Sequence, residues 1–340
     1  MRVLEIHGVT GDSKIIVGGH LSNLSIPTRD AFIITDTTVR HYYQKDFPPF
    51  QVIEIPTGEN TKNFNTVKEI YEQLLRLEAD RSSFIVGIGG GVVCDIAGFV
   101  ASTYLRGLQF GLVPSTLLSQ VDAGVGGKNG VNLGGYKNLV GTFNQPEFVI
   151  CDTNLLETLP QRELLSGFAE ILKHAVIGNA DLFSYLEGNR EKALNLDSEV
   201  IENLIYDSLV VKTSIVNGDE KEKGERRKLN FGHTFGHAIE KTMGISHGEA
   251  VSAGMVIASE ISKKRVCLSA KDTERIEALI EQLKLPARLR VNRKSVLDAL
   301  RKDKKRKGES LHFVLLKSIG NAVVEEIPMI ELEAMANGII

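Results

Sequence analysis

The sequence has few cysteines, no long apolar run and no excess of positive charge, and each lack removes a class of protein. Cys94, Cys151 and Cys267 are odd in number and far apart, so neither a disulfide framework nor a cysteine-based zinc site is supported. This fits a reducing compartment. No segment approaches the ~20 apolar residues that span a bilayer, and Met1-Arg2-Val3-Leu4-Glu5 opens no apolar signal region. A soluble, cytoplasmic protein without a membrane partner is therefore expected. A formal net charge of −3 lacks the basic excess that attracts phosphate backbones, which argues against a general nucleic-acid binder. Any anion site must be local.

Hydrophobic residues make up 42% and charged residues 24% of the chain, the balance of an ordinary globular protein. Its 340 residues exceed the ~100–200 usual for one domain, so two domains that bind a ligand between them are expected. Up to about residue 150 the sequence alternates β-branched runs with amphipathic stretches. Ala31–Asp36 and residues 84–88 read as strands and 61–76 as a helix, the βαβ rhythm of a parallel sheet covered by helices. The character then changes. Thr158 reads as an N-cap with Gln161 at the third helical position, and Pro160 is tolerated in a first turn. Helices are predicted at 160–177, 180–188, 198–217, 232–242, 248–266, 271–283 and 294–302, with later strands only near 312–316 and 322–326. The domain boundary is placed between 158 and 159, giving an α/β domain over 1–158 and a mainly α-helical domain over 159–340. Without a long flexible linker, the two are expected to pack closely.

Strand 84–88 runs into Gly89-Gly90-Gly91 and then into a helix that carries Asp95. Glycines at a strand-to-helix turn let backbone N–H groups approach a pyrophosphate, and the helix N-terminus favours negative charge. The spacing departs from G-x-G-x-x-G, because Val92 holds the third glycine position. A nucleotide site and a tight turn that merely needs glycine both remain open. Asp95, read in the first helical turn, suits a sugar hydroxyl or the helix dipole better than a phosphate.

Five of the eight histidines are scattered, but His233 and His237 lie four apart on one helical face and His247 follows closely. Two imidazoles and a carboxylate with an open position make a catalytic metal site. Glu170, three residues before Lys173 on a mostly apolar helix, is a candidate carboxylate, since a buried carboxylate beside a lysine needs pairing or metal. The alternative is an exposed pairing of Glu170 with Lys173 or His174 on one helix. A third cluster gathers cations with glycine: Asp122 to Lys128, then Lys137 and Asn138, with Lys212, Arg226 and Asn230 available from the helical half. Lysine beside flexible backbone suits a small anion. The run 301–307 reads as a solvated helix end.

Together these segments resemble the 3-dehydroquinate synthases. The resemblance is carried by Gly89-Gly90-Gly91 with Asp95, by residues 113–118 leading to Asp122 and Lys128, by Lys137-Asn138, by Glu170 with Lys173, and by 226–240 followed by His247-Gly248-Glu249. It implies an N-terminal Rossmann-like, NAD-binding parallel-sheet domain, a C-terminal helical metal- and substrate-binding domain, an active site in the cleft between them, and a homodimer. It further implies Glu170, His233 and His247 as ligands of a divalent metal, zinc or cobalt, with His237 turned to the substrate. NAD contacts would fall on Asp36, Glu59, Lys62, Gly91, Asp95, Ser115, Thr116, Lys128, Lys137 and Thr158. Substrate contacts would fall on Asp122, Lys128, Asn138, Lys173, Lys212, Arg226, Asn230 and His237, with Arg106 supplied by the neighbouring subunit. Lys304 or Lys305 would lie near the phosphate. Cys94 and Ser115 depart from the glycine and threonine common in the family, and both keep small side chains.

The implied substrate is a phosphorylated sugar acid, 3-deoxy-D-arabino-heptulosonate 7-phosphate, whose two anionic groups the cationic cluster would orient. The implied reaction is transient oxidation by NAD, phosphate elimination, re-reduction and intramolecular aldol closure, in which the substrate's own phosphate can take the proton. Lys212, Asn230 and His237 favour this reading over another sugar-phosphate cyclase. The set Lys128, Lys137, Lys173 and Arg226 separates it from a metal-dependent alcohol or glycerol dehydrogenase, which has no anion to hold. An intact metal and cation set also disfavours a non-catalytic scaffold.

Overall fold

The computed structural model describes residues 1–26, 30–266, 268–301, 306–307 and 310–339. Lys304 and Lys305 lie outside the described residues. The chain divides into two units, Met1–Leu159 and Pro160–Ile340.

In the first unit the β-branched runs become a seven-stranded sheet. In chain order the elements are β1 (Arg2–Gly8), β2 (Gly11–Val17), β3 (Ala31–Asp36), α1 (Thr37–Tyr43), β4 (Gln51–Ile55), α2 (Phe64–Arg76), β5 (Phe84–Gly89), α3 (Gly91–Thr103) and β6 (Gln109–Pro114). A two-stranded antiparallel ribbon follows, β7 (Lys128–Leu133) with β8 (Tyr136–Phe143), and then β9 (Phe148–Cys151). The sheet order is β1-β2-β9-β6-β5-β3-β4, and within it only the β1–β2 pairing is antiparallel. Every residue of β3 and β5 is buried, as expected for central parallel strands covered on both faces. The chain runs outward from β3 to β4 and returns on the other side of β3 as β5, so the order reverses between them. Ligands of open α/β sheets bind at the carboxyl ends of strands beside such a reversal, and here those ends carry Asp36 and Gly89.

Two of the glycines are there for packing. A Cβ on Gly87 would stand 2.7 Å from the Ala97 Cβ, and one on Gly89 would stand 2.6 Å from the Val93 Cβ. Both contacts seat α3 directly on β5. Several local expectations are corrected. The helix expected from Thr61 begins at Phe64, because the Asn63 side chain accepts from the Asn65 and Thr66 N–H groups and caps it there. Since α3 begins at Gly91, Asp95 is its fifth residue and stands in the second turn. The glycine-rich stretch from Lys128 to Asn138 is a strand pair rather than flexible backbone.

The second unit contains α4 (Gln161–Gly178), α5 (Ala180–Leu194), α6 (Ser198–Gly218), α7 (His233–Met243), α8 (His247–Arg265), α9 (Ala270–Gln282) and α10 (Arg293–Arg301). The sheet β10 (Arg306–Lys307), β11 (Ser310–Ser318) and β12 (Asn321–Pro328) and the helix α11 (Met329–Ala336) complete it. The capping box expected at Thr158 does not form. Pro160 in extended conformation is itself the N-cap, so Gln161 is the first helical residue and Thr158 is too far upstream. A capping box does open α8, between Ser246 and Glu249. Helix α4 packs against α5, α6 and α8 and buries residues 166–177 without a break, which puts Glu170, Lys173 and His174 in the interior.

Helices α7 and α8 approach so closely that only glycine fits at their crossing. A Cβ on Gly254 would stand 2.1 Å from the Gly232 carbonyl oxygen, and one on Gly236 3.1 Å from the Ala250 carbonyl oxygen. A Cβ on Gly248 would likewise stand 2.4 Å from the Ser166 Cα, so the glycine lets the start of α8 lie against α4. Among the described residues no helix is long and apolar enough to cross a membrane.

Candidate active site

In the second unit these glycine contacts gather three side chains from three helices. The Glu170 carboxylate is fully buried, and its Oε1 lies 3.5 Å from His233 Nε2 and 3.4 Å from His247 Nε2. The three donors form one cluster. Tetrahedral ligands about 2.1 Å from zinc stand about 3.4 Å from one another, so these separations match edges of a coordination shell. Both imidazoles are oriented from behind: His233 Nδ1 lies 3.1 Å from the Phe231 carbonyl oxygen and His247 Nδ1 3.3 Å from Glu240 Oε2. Such partners fix the ring and aim Nε2 at a metal. Burial holds His233 well below its ordinary pKa, which keeps it neutral as a ligand must be. Burial alone would depress His247 too, but hydrogen bonds with Glu170 and Glu240 outweigh it and raise the group to about 9. The donor types and their spacing fit a divalent metal, whose binding would displace the proton that Glu170 and Glu240 favour on His247.

Lys173, 1% exposed, pairs with Glu170 across one helical turn. Burial rules out the exposed-pair alternative. A second cluster joins His237, Glu240 and His247, with the His233 and His237 ring centres 5.2 Å apart. Lys212 is buried on α6. Arg226 and Asn230 lie on a 3-10 turn, Glu225–Asn230. Arg226 Nη1 donates to the Glu220 carbonyl, and Asn230 Nδ2 donates to Glu222 Oε1 at 2.5 Å. A cavity of about 460 Å³ is lined by Arg227 and Lys228 of this turn and by His312 and Glu326, and none of the expected site residues lines it.

In the first unit Lys62 Nζ donates to Asp95 Oδ2 and, at 2.5 Å, to Asn138 Oδ1. Burial pushes the Asp95 carboxyl up to about 6, against the opposing pull of Lys62. Asn138 adopts a left-handed conformation, φ 49°, and its N–H donates to Asn132 Oδ1 at 2.8 Å. The Asn132 amide in turn donates to Glu59 Oε1 at 2.7 Å. Four expected residues, Glu59, Lys62, Asp95 and Asn138, thus share one network. Asp36 Oδ1 caps α1 and accepts from the Thr57 hydroxyl at 3.1 Å. Ser115 donates its N–H to the Gly89 carbonyl at 2.8 Å, and the Thr116 and Ser119 hydroxyls are 2.8 Å apart. Thr158 meets the Tyr43 hydroxyl at 2.7 Å. Asp122 lies on the turn Ser119–Ala123, Lys128 and Lys137 are exposed on β7 and β8, and Arg106 ends the turn Tyr104–Arg106 with φ 73°.

The first turn of α3 has no side-chain cap. A Cβ on Gly90 or Gly91 would meet only the Thr116 and Ala123 side chains, at 3.2 and 3.1 Å. Open N–H groups at a helix start beside a strand-order reversal fit a dinucleotide phosphate. Asn132, Glu240, Asp219, Thr57 and Tyr43 escaped the sequence reading. They act by holding other side chains or, for Asp219, backbone N–H groups, and no spacing rule marks such residues.

The chain matches the family described as 3-dehydroquinate synthase N-terminal over residues 52–166 and that described as 3-dehydroquinate synthase C-terminal over residues 167–306. It is 44% identical over 327 residues to the 3-dehydroquinate synthase of Geobacter metallireducens, covering 92% of this chain and 90% of that one. A structure of 2-epi-5-epi-valiolone synthase from Streptomyces hygroscopicus with NAD+ and Zn2+ bound superposes with a TM-score of 0.88 at 28% identity, over 100% of this chain and 99% of that one. The crystal structure of 2-deoxy-scyllo-inosose synthase with carbaglucose-6-phosphate, NAD+ and Co2+ gives 0.88 at 27% identity, over 98% and 99%. Coverage of both halves by the family, and of nearly the whole of each relative, leads to one assignment: this chain belongs to the 3-dehydroquinate synthase family.

Proposed function

We propose that this chain converts 3-deoxy-D-arabino-heptulosonate 7-phosphate to 3-dehydroquinate and phosphate, as a phosphate-eliminating lyase dependent on NAD and a divalent metal. The observation that carries the reading is the buried Glu170 carboxylate 3.5 and 3.4 Å from two oriented imidazole nitrogens. Glu170, His233 and His247 would hold the metal, with Glu240 and the Phe231 carbonyl fixing the two rings. When bound, Zn2+ or Co2+ supplies Lewis acidity that lowers the cost of alkoxide formation on a substrate hydroxyl. NAD supplies a temporary acceptor for hydride.

The remaining roles belong to side chains. Asp36, Glu59, Lys62, Gly91, Asp95, Ser115, Thr116, Lys128, Lys137 and Thr158 are assigned to the dinucleotide, with the first turn of α3 toward its pyrophosphate. Lys173, Lys212, Arg226 and Asn230 would orient the anionic substrate and offset its charge. His237, Asn138 and Asp122 would position hydroxyls and pass protons between them. Lys128 would serve both ligands, and Arg106 is assigned to the partner's site in a cytoplasmic homodimer. The test is to incubate purified protein, metal and NAD with the heptulosonate phosphate and follow inorganic phosphate. Release that stops on chelation and returns with zinc or cobalt is expected. No release, or release indifferent to a chelator, would overturn the proposal.

A further inference from the structure

The loop after α6 is organised by one carboxylate outside the expected site. Asp219 Oδ1 accepts from the Lys223 N–H at 2.9 Å, and Oδ2 accepts from the Gly224 N–H at 2.6 Å and the Arg226 N–H at 3.1 Å. Burial works against its charge, yet these backbone donors and Arg226 hold it below the usual carboxylate range. Inside the loop thus closed, the Glu220 carbonyl receives Arg226 Nη1, and Arg226 is 2% exposed. Glu222, in a left-handed conformation with φ 57°, receives the Asn230 amide. Left-handed backbone at a residue other than glycine is unfavourable and persists only where its surroundings impose it.

We infer that Asp219 is a positioning residue that fixes the main chain at Arg226, so that the guanidinium is held ready for a substrate anion. The inference rests on the proposed contact between Arg226 and substrate. An arginine left to rotate freely loses side-chain entropy on each binding event, which one held in place has already lost. Three backbone N–H groups deprived of their acceptor add the cost of a looser loop. An interaction of this kind, equal in ground and transition states, shows in KM and leaves kcat nearly unchanged.

The test is a double-mutant cycle with Asp219→Ala and Arg226→Ala, reading KM, kcat and the inhibition constant of inorganic phosphate. Asp219→Ala alone is expected to raise KM and the phosphate constant about tenfold with kcat within about threefold. In the Arg226→Ala background the same change is expected to raise them less than about twofold. Equal effects in both backgrounds would make Asp219 merely structural and overturn the inference. If Arg226→Ala itself leaves KM and phosphate inhibition unchanged, the assignment of Arg226 has failed and the inference falls with it. Should Asp219→Ala lower the thermal midpoint below the assay range, Asp219→Asn, which keeps its volume and one acceptor oxygen, enters the same cycle under the same criterion.

Discussion

Glu170 shows at the scale of one residue why some of the site could be read in advance and some could not. A carboxylate three residues before a lysine on an apolar helix is costly without partners, and that cost was legible in the spacing. The spacing of His233 and His237 was also legible, but it named neighbours on one helix. Which imidazole nitrogens reach the carboxylate depends on two helix crossings, and the structure puts those of His233 and His247 there. We expect His233→Ala to lose bound metal and activity together. His237→Ala should keep full metal while turnover falls by about a hundredfold. Equal metal loss in the two variants, by elemental analysis, would dissolve the separation of their roles. Asp95 offers a second measurement at this scale. Its carboxyl is raised from 3.8 to about 6, so the native state binds the extra proton between those limits. Stability from this group therefore falls as pH rises from about 4 to about 6 and is constant above, by at most about 3 kcal/mol. Denaturant midpoints across that range should show the fall in the wild type relative to Asp95→Asn. A parallel pair of curves would count against the assignment.

At the scale of elements, most helices announced themselves, and α6 through α10 lie within about a residue of their expected bounds, whereas α5, expected over 180–188, runs on to Leu194. The ribbon β7–β8 did not. Its glycines and lysines read as loop, and pairing across it is a non-local property that propensity does not encode. The role of Gly232, Gly236 and Gly254 was equally hidden, since a glycine that lets two helices touch looks in sequence like a glycine that breaks one. That crossing is testable. Gly254→Ala would drive a methyl group to 2.1 Å from the Gly232 carbonyl oxygen, and overpacking of this kind costs about 1–3 kcal/mol or more. We expect a lower thermal midpoint and weaker metal binding in the same variant, since α7 and α8 each carry one of the proposed ligands. Gly188→Ala, on α5 where the new methyl meets nothing within 4 Å, should instead be neutral or stabilising by up to about 1 kcal/mol. Weakened metal binding in both would detach the effect from the crossing.

For the whole molecule, what was legible was the order of motifs: a glycine turn, a cationic glycine-rich stretch, a Glu-Lys pair and a histidine cluster, spread across both units. That order distinguishes a cyclase from a dehydrogenase only through its cations, so the decisive measurement is one of stoichiometry. The proposed substrate and its carbocyclic product differ by phosphoric acid alone, with no net oxidation. Whatever NAD takes from the substrate must therefore return to it before product leaves, and one bound dinucleotide should serve many cycles. An alcohol dehydrogenase, by contrast, consumes one NAD for each substrate oxidised. With protein and substrate in large excess over NAD, phosphate release should exceed the cofactor present many times over, while absorbance from free NADH stays at baseline. NADH accumulating in step with substrate loss, without phosphate, would leave the dehydrogenase reading standing and remove the cyclase.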